Sequence, residues 1–244
     1  MAIIAETGFA ELLQENAPLR CIEPHIYTLL EDGESTNAFD DLGSFYDRVI
    51  CHPLYNRLMW GYSVKDYAIL MDRALGAGGR WVLDAGCGSL AFSARAYLAH
   101  PERPAVLLDQ SLTLLRIAKA RLIGLNGGMP EHLVLLQGDA LNLRFKPRVF
   151  DTLISLNLLH VINDAKKLLA DFSAVVAAGG TMLFSTLVLR RRWADGYLNW
   201  LGKKGIGGLI PRRWEDLAEF FAAAGVPASC RITGNMAFIT CPGD

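Results

Sequence analysis

Three aspartates and one glycine turn carry the chemistry of this chain. Residues 82–90, Val-Leu-Asp-Ala-Gly-Cys-Gly-Ser-Leu, read as an apolar strand running directly into a glycine turn and then a helix. Gly86 and Gly88 let the backbone turn tightly and lie against a ligand, and the helix start presents free N–H groups. Residues 86–91 also fit the G-x-G-x-x-A form of a dinucleotide loop. Charge separates the two readings: Asp84, just before the glycines, repels a pyrophosphate and favours an amine or a sulfonium. Asp109 comes about twenty residues past the loop, at the end of the next apolar run, where an acid accepts both hydroxyls of a ribose. Asp139 ends the third apolar run, where a carboxylate accepts an adenine amino group. Any one of them could serve simply as a helix or turn cap. Three in register with a glycine turn point to a bound adenosine.

The elements that must position these residues follow from hydrophobic periodicity. From Trp81 onward short apolar runs alternate with amphipathic stretches, the pattern of a parallel sheet covered by helices. Strands are expected at 81–85, 105–108, 133–137, 152–156 and 181–187. The helices between them are placed at 90–100, from an N-cap at Ser111 to Asn126-Gly127-Gly128, and from an N-cap at Asp164 to Ala178. A last helix at 215–224 stops at Gly225, and 228–233 with 236–240 form a hairpin across Gly234-Asn235. The uncharged run 172–189 is long enough to suggest a membrane span, but Gly179-Gly180 at its middle make it a helix end, a turn and a buried strand. Residues 1–75 instead space apolar residues by three and four and are expected to form a helical cap or lid, with Gly76 to Gly79 as the boundary to a core at 76–244. The expected fold is α/β: a Rossmann-like, doubly wound, mostly parallel sheet ending in an antiparallel hairpin, with an N-terminal helical cap.

On these residues, the segment 81–187 resembles a class I S-adenosylmethionine-dependent methyltransferase: DAGCG, Asp109, Asp139-Ala140 and FDTLISLNLLHV occur in family order. The resemblance implies S-adenosylmethionine as cofactor. Gly86, Cys87 and Gly88 would wrap its methionine part and Asp84 order its amino end. Asp109 would hold the ribose, Gln110 flank the adenine, and Asp139 with Ala140 read its edge. Asn157 and Leu158, just past the fourth strand, would face the methyl group and substrate. The sequence departs from the family at Leu90, where many members carry Gly or Thr. The stretch FYDRVICHPLYNRLMWGYS resembles the entry segment of ubiquinone and menaquinone methyltransferases, which implies a small-molecule substrate, a biosynthetic role and an aromatic lid drawn from Tyr46, Tyr55 and Trp60. Each of these rings equally suits packing of cap on core.

His160, near the carboxyl end of the fourth strand, has the near-neutral ordinary pKa of a general base on a substrate hydroxyl or acidic carbon, or is a structural histidine. Cys87, near a helix start, is a reactive thiol or a backbone contact, with backbone contact preferred. The insertion 188–213 gathers Arg190, Arg191, Arg192, Lys203, Lys204, Arg212 and Arg213 around Trp193, Tyr197 and Trp200, with Asp195 as its one acid. It reads as a substrate lid, a guide for an anionic substrate, a peripheral contact with an anionic membrane, or a solvated basic face.

Composition narrows the classes. Of 244 residues 52% are hydrophobic and 20% charged, which supports a packed core rather than disorder. Lys and Arg number 24 against 25 Asp and Glu, so no global positive field favours nucleic acid. Five scattered cysteines give no paired C-x-x-C or disulfide framework and no metal site, and with no basic N-terminal leader they suggest a cytoplasmic protein. The expectation is therefore methyl transfer to a small, partly apolar molecule. The alternatives are a nicotinamide-dependent oxidoreductase, which lacks a Tyr-x-x-x-Lys pair after the fourth strand, and a non-catalytic S-adenosylmethionine-binding protein.

Overall fold

Alternate residues of each strand go to opposite faces of one sheet, and this division builds the molecule. The computed structural model describes residues 8–31, 51–76 and 78–242. Nine strands form a single sheet: β1 (Arg20–Glu23), β2 (Ile26–Thr28), β3 (Val82–Ala85), β4 (Ala105–Asp109), β5 (Leu133–Gln137), β6 (Phe150–Leu156), β7 (Val176–Leu187), β8 (Ser229–Thr233) and β9 (Met236–Cys241). Their order is β1-β2-β5-β4-β3-β6-β7-β9-β8. The pairings from β2 to β7 are parallel, and β1, β8 and β9 pair antiparallel. The winding direction reverses at β3, which lies between β4 and β6. In an open α/β sheet that switch point, at the carboxyl ends of the strands, is where a ligand crevice forms.

Leu83, Ala85, Val106, Leu108, Leu153 and Phe184 pack on one face, under the helices α4 (Ala165–Val175) and α6 (Trp214–Ala223). Val82, Leu107, Ile154 and Leu183 pack on the other, under α1 (Lys65–Gly76), α2 (Ala94–Ala99), α3 (Leu112–Asn126) and α5 (Arg192–Lys203). Local chemistry fixes the ends: the Ser111 hydroxyl accepts from Leu114 N–H at 3.2 Å and Gly127, at φ +79°, closes α3. Asp164 caps α4 through Lys167 N–H at 2.9 Å. Among the described residues no helix is long and apolar enough to cross a membrane.

The departures from the expected elements have physical causes. The N-terminal part is not wholly helical: residues 20–28 form a hairpin whose β2 pairs in parallel with β5, so this segment extends the sheet edge. Strands of four and three residues are too short to show an alternation. The helix after the glycine turn begins only at Ala94, because Leu90 takes a left-handed φ of +56°. α4 ends at Val175 rather than Ala178, since Val176 already pairs with Phe150; the register then slips, and Thr152 faces Thr181. Gly180 lies inside that slip, where a Cβ would come within 2.8 Å of the Asp151 carbonyl.

Below the sheet, at the amino ends of β3 and β6, Arg103 is 2% exposed and its Nη2 reaches Asp151 Oδ1 at 2.7 Å and Thr152 Oγ1 at 2.9 Å. The same carboxylate accepts the N–H groups of Arg80 and Trp81. Removing it strands a buried guanidinium, which typically costs about 3–5 kcal/mol. Asp151→Ala should therefore lower the urea unfolding free energy by about that amount, whereas Asp171→Ala, at an exposed i,i+4 pair with Lys167, should change it by under about 0.5 kcal/mol.

Candidate active site

β3 ends at the switch point and places Asp84 on the face covered by α2. Its side chain is 1% exposed. Tyr97, from α2, donates to Oδ2 at 2.9 Å. Oδ1, equally buried, has no hydrogen-bond partner among the described residues. Burial raises the Asp84 carboxyl to about 7, opposed by the Tyr97 hydrogen bond and reinforced by the nearby Asp109 charge. A buried acceptor of this kind is costly until a donor arrives, and a cationic amine is the donor that also favours the charged form.

The turn itself is shaped by Asp109. Its Oδ2 accepts from Gly88 N–H at 2.8 Å and its Oδ1 from Ser111 N–H at 2.9 Å. A carboxylate is also the acceptor type that a ribose diol requires. The N–H groups of Gly86 and Cys87 both bond to the Leu108 carbonyl, at 2.8 and 3.0 Å, tying the turn to the end of β4. Gly86 sits at φ +76° with Leu158 side-chain atoms 3.1 Å from where a Cβ would be; Gly88, at φ +55°, faces nothing within 4 Å. The first glycine is required by packing and backbone angle. The second leaves the space a ligand would use.

Around the far end of the row, Gln137 donates from Nε2 to the Gln110 carbonyl at 3.1 Å and fixes the segment after β4. Asp139 Oδ1 accepts from Leu141 N–H at 2.9 Å, a local turn that still leaves its other oxygen for a base edge. Ala140 is buried beneath it. A narrow recess of about 30 Å³ between Leu29, Leu30, Leu108, Gly138 and Asp139 opens there. A larger groove, of about 790 Å³, lies at the amino ends of β3 to β5, beside Trp81, Pro104 and His132. None of the site residues expected from sequence lines it.

Past β6, Asn157 takes a left-handed φ of +61° and turns its amide toward α1. Tyr67, fully buried and stacked on Phe92 at 4.5 Å, donates to Asn157 Oδ1 at 2.9 Å. Burial pushes the Tyr67 phenol up to about 12, so it stays a donor at physiological pH. Leu158 packs against Gly86, as described above. Sequence reasoning passed over Tyr67 and Tyr97; the only trace of either was an aromatic at an inward helical position, which core packing explains as well.

Of the two roles open to His160, its placement supports the structural one. It is 7% exposed, and its Nδ1 accepts Leu187 N–H at 3.1 Å and lies 3.2 Å from Thr186 Oγ1. Burial and the Arg212 guanidinium lower its pKa to about 4. A neutral ring with Nδ1 already engaged fastens the end of β6 to β7, and the expected general base has no support in this placement. Cys87 also contributes backbone rather than a nucleophile, because burial, then Asp109 and Asp84, raise its thiol pKa. Of the lid aromatics, Tyr55, Trp60 and Tyr197 meet: Trp60 lies 6.3 Å from Tyr55 and 5.8 Å from Tyr197 between ring centroids. Trp193 stays outside this group, half exposed, with the Arg191 guanidinium 5.2 Å over it. Tyr46 lies outside the described residues.

Comparison with known proteins agrees with this geometry. Residues 82–180 match the family model described as a methyltransferase domain. An O-methyltransferase family protein from Burkholderia thailandensis superposes with a TM-score of 0.64 at 17% identity, over 85% of this chain and 64% of that one. Phosphoethanolamine N-methyltransferase 2 of Haemonchus contortus, solved with S-adenosylmethionine, gives 0.61 at 14% identity, over 85% and 60%. The [4+2]-cyclase SpnF gives 0.63 at 16%, over 84% and 95%. No curated protein sequence matches the chain. Residues 82–180 thus carry the match to a methyltransferase domain, and the sheet around them has the fold of these solved structures. The orphaned Asp84 oxygen and the open side of Gly88 fit the amine and the methionine chain of S-adenosylmethionine.

Asp84 makes stability and binding oppose each other with pH. Its folded pKa of about 7 lies above the ordinary 3.8, so its contribution to ligand-free stability is full below about pH 4 and is lost as pH rises through about 7. Asp84→Asn should raise the ligand-free melting temperature relative to wild type at pH 8 more than at pH 5. The same variant should weaken S-adenosylhomocysteine binding, and wild-type affinity should climb from pH 5.5 to 7.5 in calorimetry. A flat profile would mean that Asp84 is already ionised in the free protein.

Proposed function

We propose that this protein transfers the methyl group of S-adenosylmethionine to a small, partly apolar molecule by in-line displacement at the sulfonium. The observation that carries the reading is the buried, donorless Asp84 oxygen beside an Asp109 carboxylate that already shapes the glycine turn. When bound, the cofactor supplies a methyl carbon activated by its own leaving group. The protein is then left with alignment and exclusion of water, and few obligatory side chains are needed. Asp84 holds the amino end of the cofactor and Asp109 its ribose, while Gln110, Asp139 and Ala140 bound the adenine. Asn157, held by Tyr67, forms the wall toward the acceptor. The grouped rings of Tyr55, Trp60 and Tyr197 support an apolar, water-poor approach. A cytoplasmic setting belongs to the same reading, with all five cysteines as free thiols.

A second reading keeps the cofactor and loses the transfer. It is favoured by the likeness to the [4+2]-cyclase SpnF, named for a cyclisation on a similar fold. Two measurements separate the cases. S-adenosylhomocysteine should bind the purified protein, and Asp109→Ala should weaken it by roughly 10- to 100-fold, the size of lost hydrogen bonds to a charged acceptor. Methyl-labelled S-adenosylmethionine should then label members of a panel of lipophilic phenols, acids and amines. Binding with no labelled product would establish the second reading, while absence of binding, together with enhanced NADH fluorescence, would overturn both in favour of a nicotinamide enzyme.

A further inference from the structure

We propose that the outer face of α5, together with the short helix Pro53–Tyr55 and its continuation Asn56–Trp60, docks on an anionic lipid bilayer. α5 buries Ala194, Leu198 and Leu201 against the sheet. Helical spacing puts Trp193, Gly196, Trp200 and Lys203 on the opposite side. Trp193 and Trp200 are each 50% exposed, and Leu54 and Leu58 are 62% and 71% exposed. The two elements adjoin, because Tyr55 and Trp60 of the helical turn and its continuation meet Tyr197 of α5 and Tyr197 stacks on Trp200 at 6.0 Å. Four large apolar side chains are thus offered to solvent from neighbouring elements, a grouping that a soluble surface rarely shows without a partner.

Charge selects the partner. Arg190, Arg191 and Arg192 precede α5 or open it, and Lys203 and Lys204 close it, giving five cations against Asp195. That one acid is turned into the fold: its Oδ1 accepts from Arg190 N–H, Arg191 N–H and Asn235 Nδ2 at 2.7, 3.1 and 2.7 Å. Arg190 turns its guanidinium to the Ile232 carbonyl at 2.8 Å, so the outer face carries indoles between Arg191 and Arg192 at one end and Lys203 and Lys204 at the other, the composition that rests at the boundary between headgroups and acyl chains. A twofold contact with a second copy would set these cations against themselves. Aliphatic side chains such as Leu54 and Leu58 have no partner on a nucleic-acid backbone, whereas acyl chains accept them.

The position has a consequence for the site. β7 delivers α5 at the carboxyl edge of the sheet, the edge where Asp84, Asp109 and Asp139 end. A docked face would bring that edge alongside the phase into which apolar molecules partition. Docking itself does not rest on what the site does.

Flotation of the full chain with vesicles tests the proposal. Binding is expected with vesicles of phosphatidylcholine mixed with an equal part of phosphatidylglycerol, a blue shift of tryptophan emission accompanying it, and little with phosphatidylcholine alone. Lys203→Ser with Lys204→Ser should reduce affinity by roughly fivefold per cation removed, and Trp193→Gln with Trp200→Gln should abolish the blue shift. Urea unfolding midpoints of both double variants should match wild type; a variant that fails this is replaced by raised salt, which should release the protein from the anionic vesicles. No vesicle binding by the wild-type chain would overturn the proposal, as would binding indifferent to lipid charge, salt and both double variants. A dimer that forms through the same residues while vesicles are ignored would assign the face to self-association instead.

Discussion

A carboxylate with one unpaired oxygen, sealed at the end of the central strand, is the constraint on which the rest of the structure depends. Asp84 is held there by what surrounds it rather than by its own preference: a strand buried on both faces, Tyr97 from α2 on one oxygen, and the Asp109 charge close by. Nothing in hydrophobic packing favours an acid at that point. An apolar residue of similar size would suit the ligand-free core better, since buried acceptors without donors cost folding free energy. The arrangement becomes favourable when a donor with positive charge completes it. A fold that carries such a cost in its free state, at its topological switch point, is organised around a ligand.

The glycine turn shows the same division between folding and binding. Asp109 accepts from Gly88 N–H and Ser111 N–H before any ligand arrives, so one side chain joins the turn to the start of α3. The loop is therefore shaped in advance, and less ordering remains to be done on binding. Leu90 pays for that shape with a left-handed φ where a glycine would be unstrained. Its side chain, 1% exposed, is buried in the layer under α1 and α2, and that burial offsets the strain.

Sequence legibility followed the strength of the local pattern. β4, β5 and the β8–β9 hairpin were readable nearly to the residue because each is a buried apolar run bounded by turn residues. The caps Ser111 and Asp164 were readable because a short side-chain oxygen at a helix start has one obvious use. The hairpin at 20–28 was not readable, its strands being too short to show an alternation. α5 was hidden by its composition, since Gly196, Gly202 and the flanking cations mask the spacing of Ala194, Leu198 and Leu201. In the site, the three aspartates and the glycines were visible because their position after a strand is itself the signal. The roles of Tyr97 and Tyr67 were not, because a hydrogen bond between side chains 13 or 90 residues apart leaves no periodicity. His160 misled for the complementary reason: its place past β6 suggested a base, and only the Leu187 N–H on its Nδ1 shows that the ring is already committed.

The two faces of the sheet carry different duties. The face under α4 and α6 is a cluster of aliphatic and aromatic side chains, with Phe172, Phe184 and Phe221 in ring contact, and it reaches the site only through Ala140 and Leu158. The face under α1, α2, α3 and α5 holds Asp84, Tyr97, Tyr67 and the Trp60–Tyr197 contact. Substitution on the first face acts mainly on stability, except at Ala140 and Leu158, which belong both to that cluster and to the site. On the second face, a change that loosens α1 or α5 also moves Tyr67 or Tyr197, and with them Asn157 and the aromatic group, so packing there cannot be altered without altering the site. The carboxyl edge of β6 and β7 is where the two duties meet: His160 accepts Leu187 N–H there, and Asn157 donates its N–H to the Ser185 carbonyl while its side chain accepts from Tyr67.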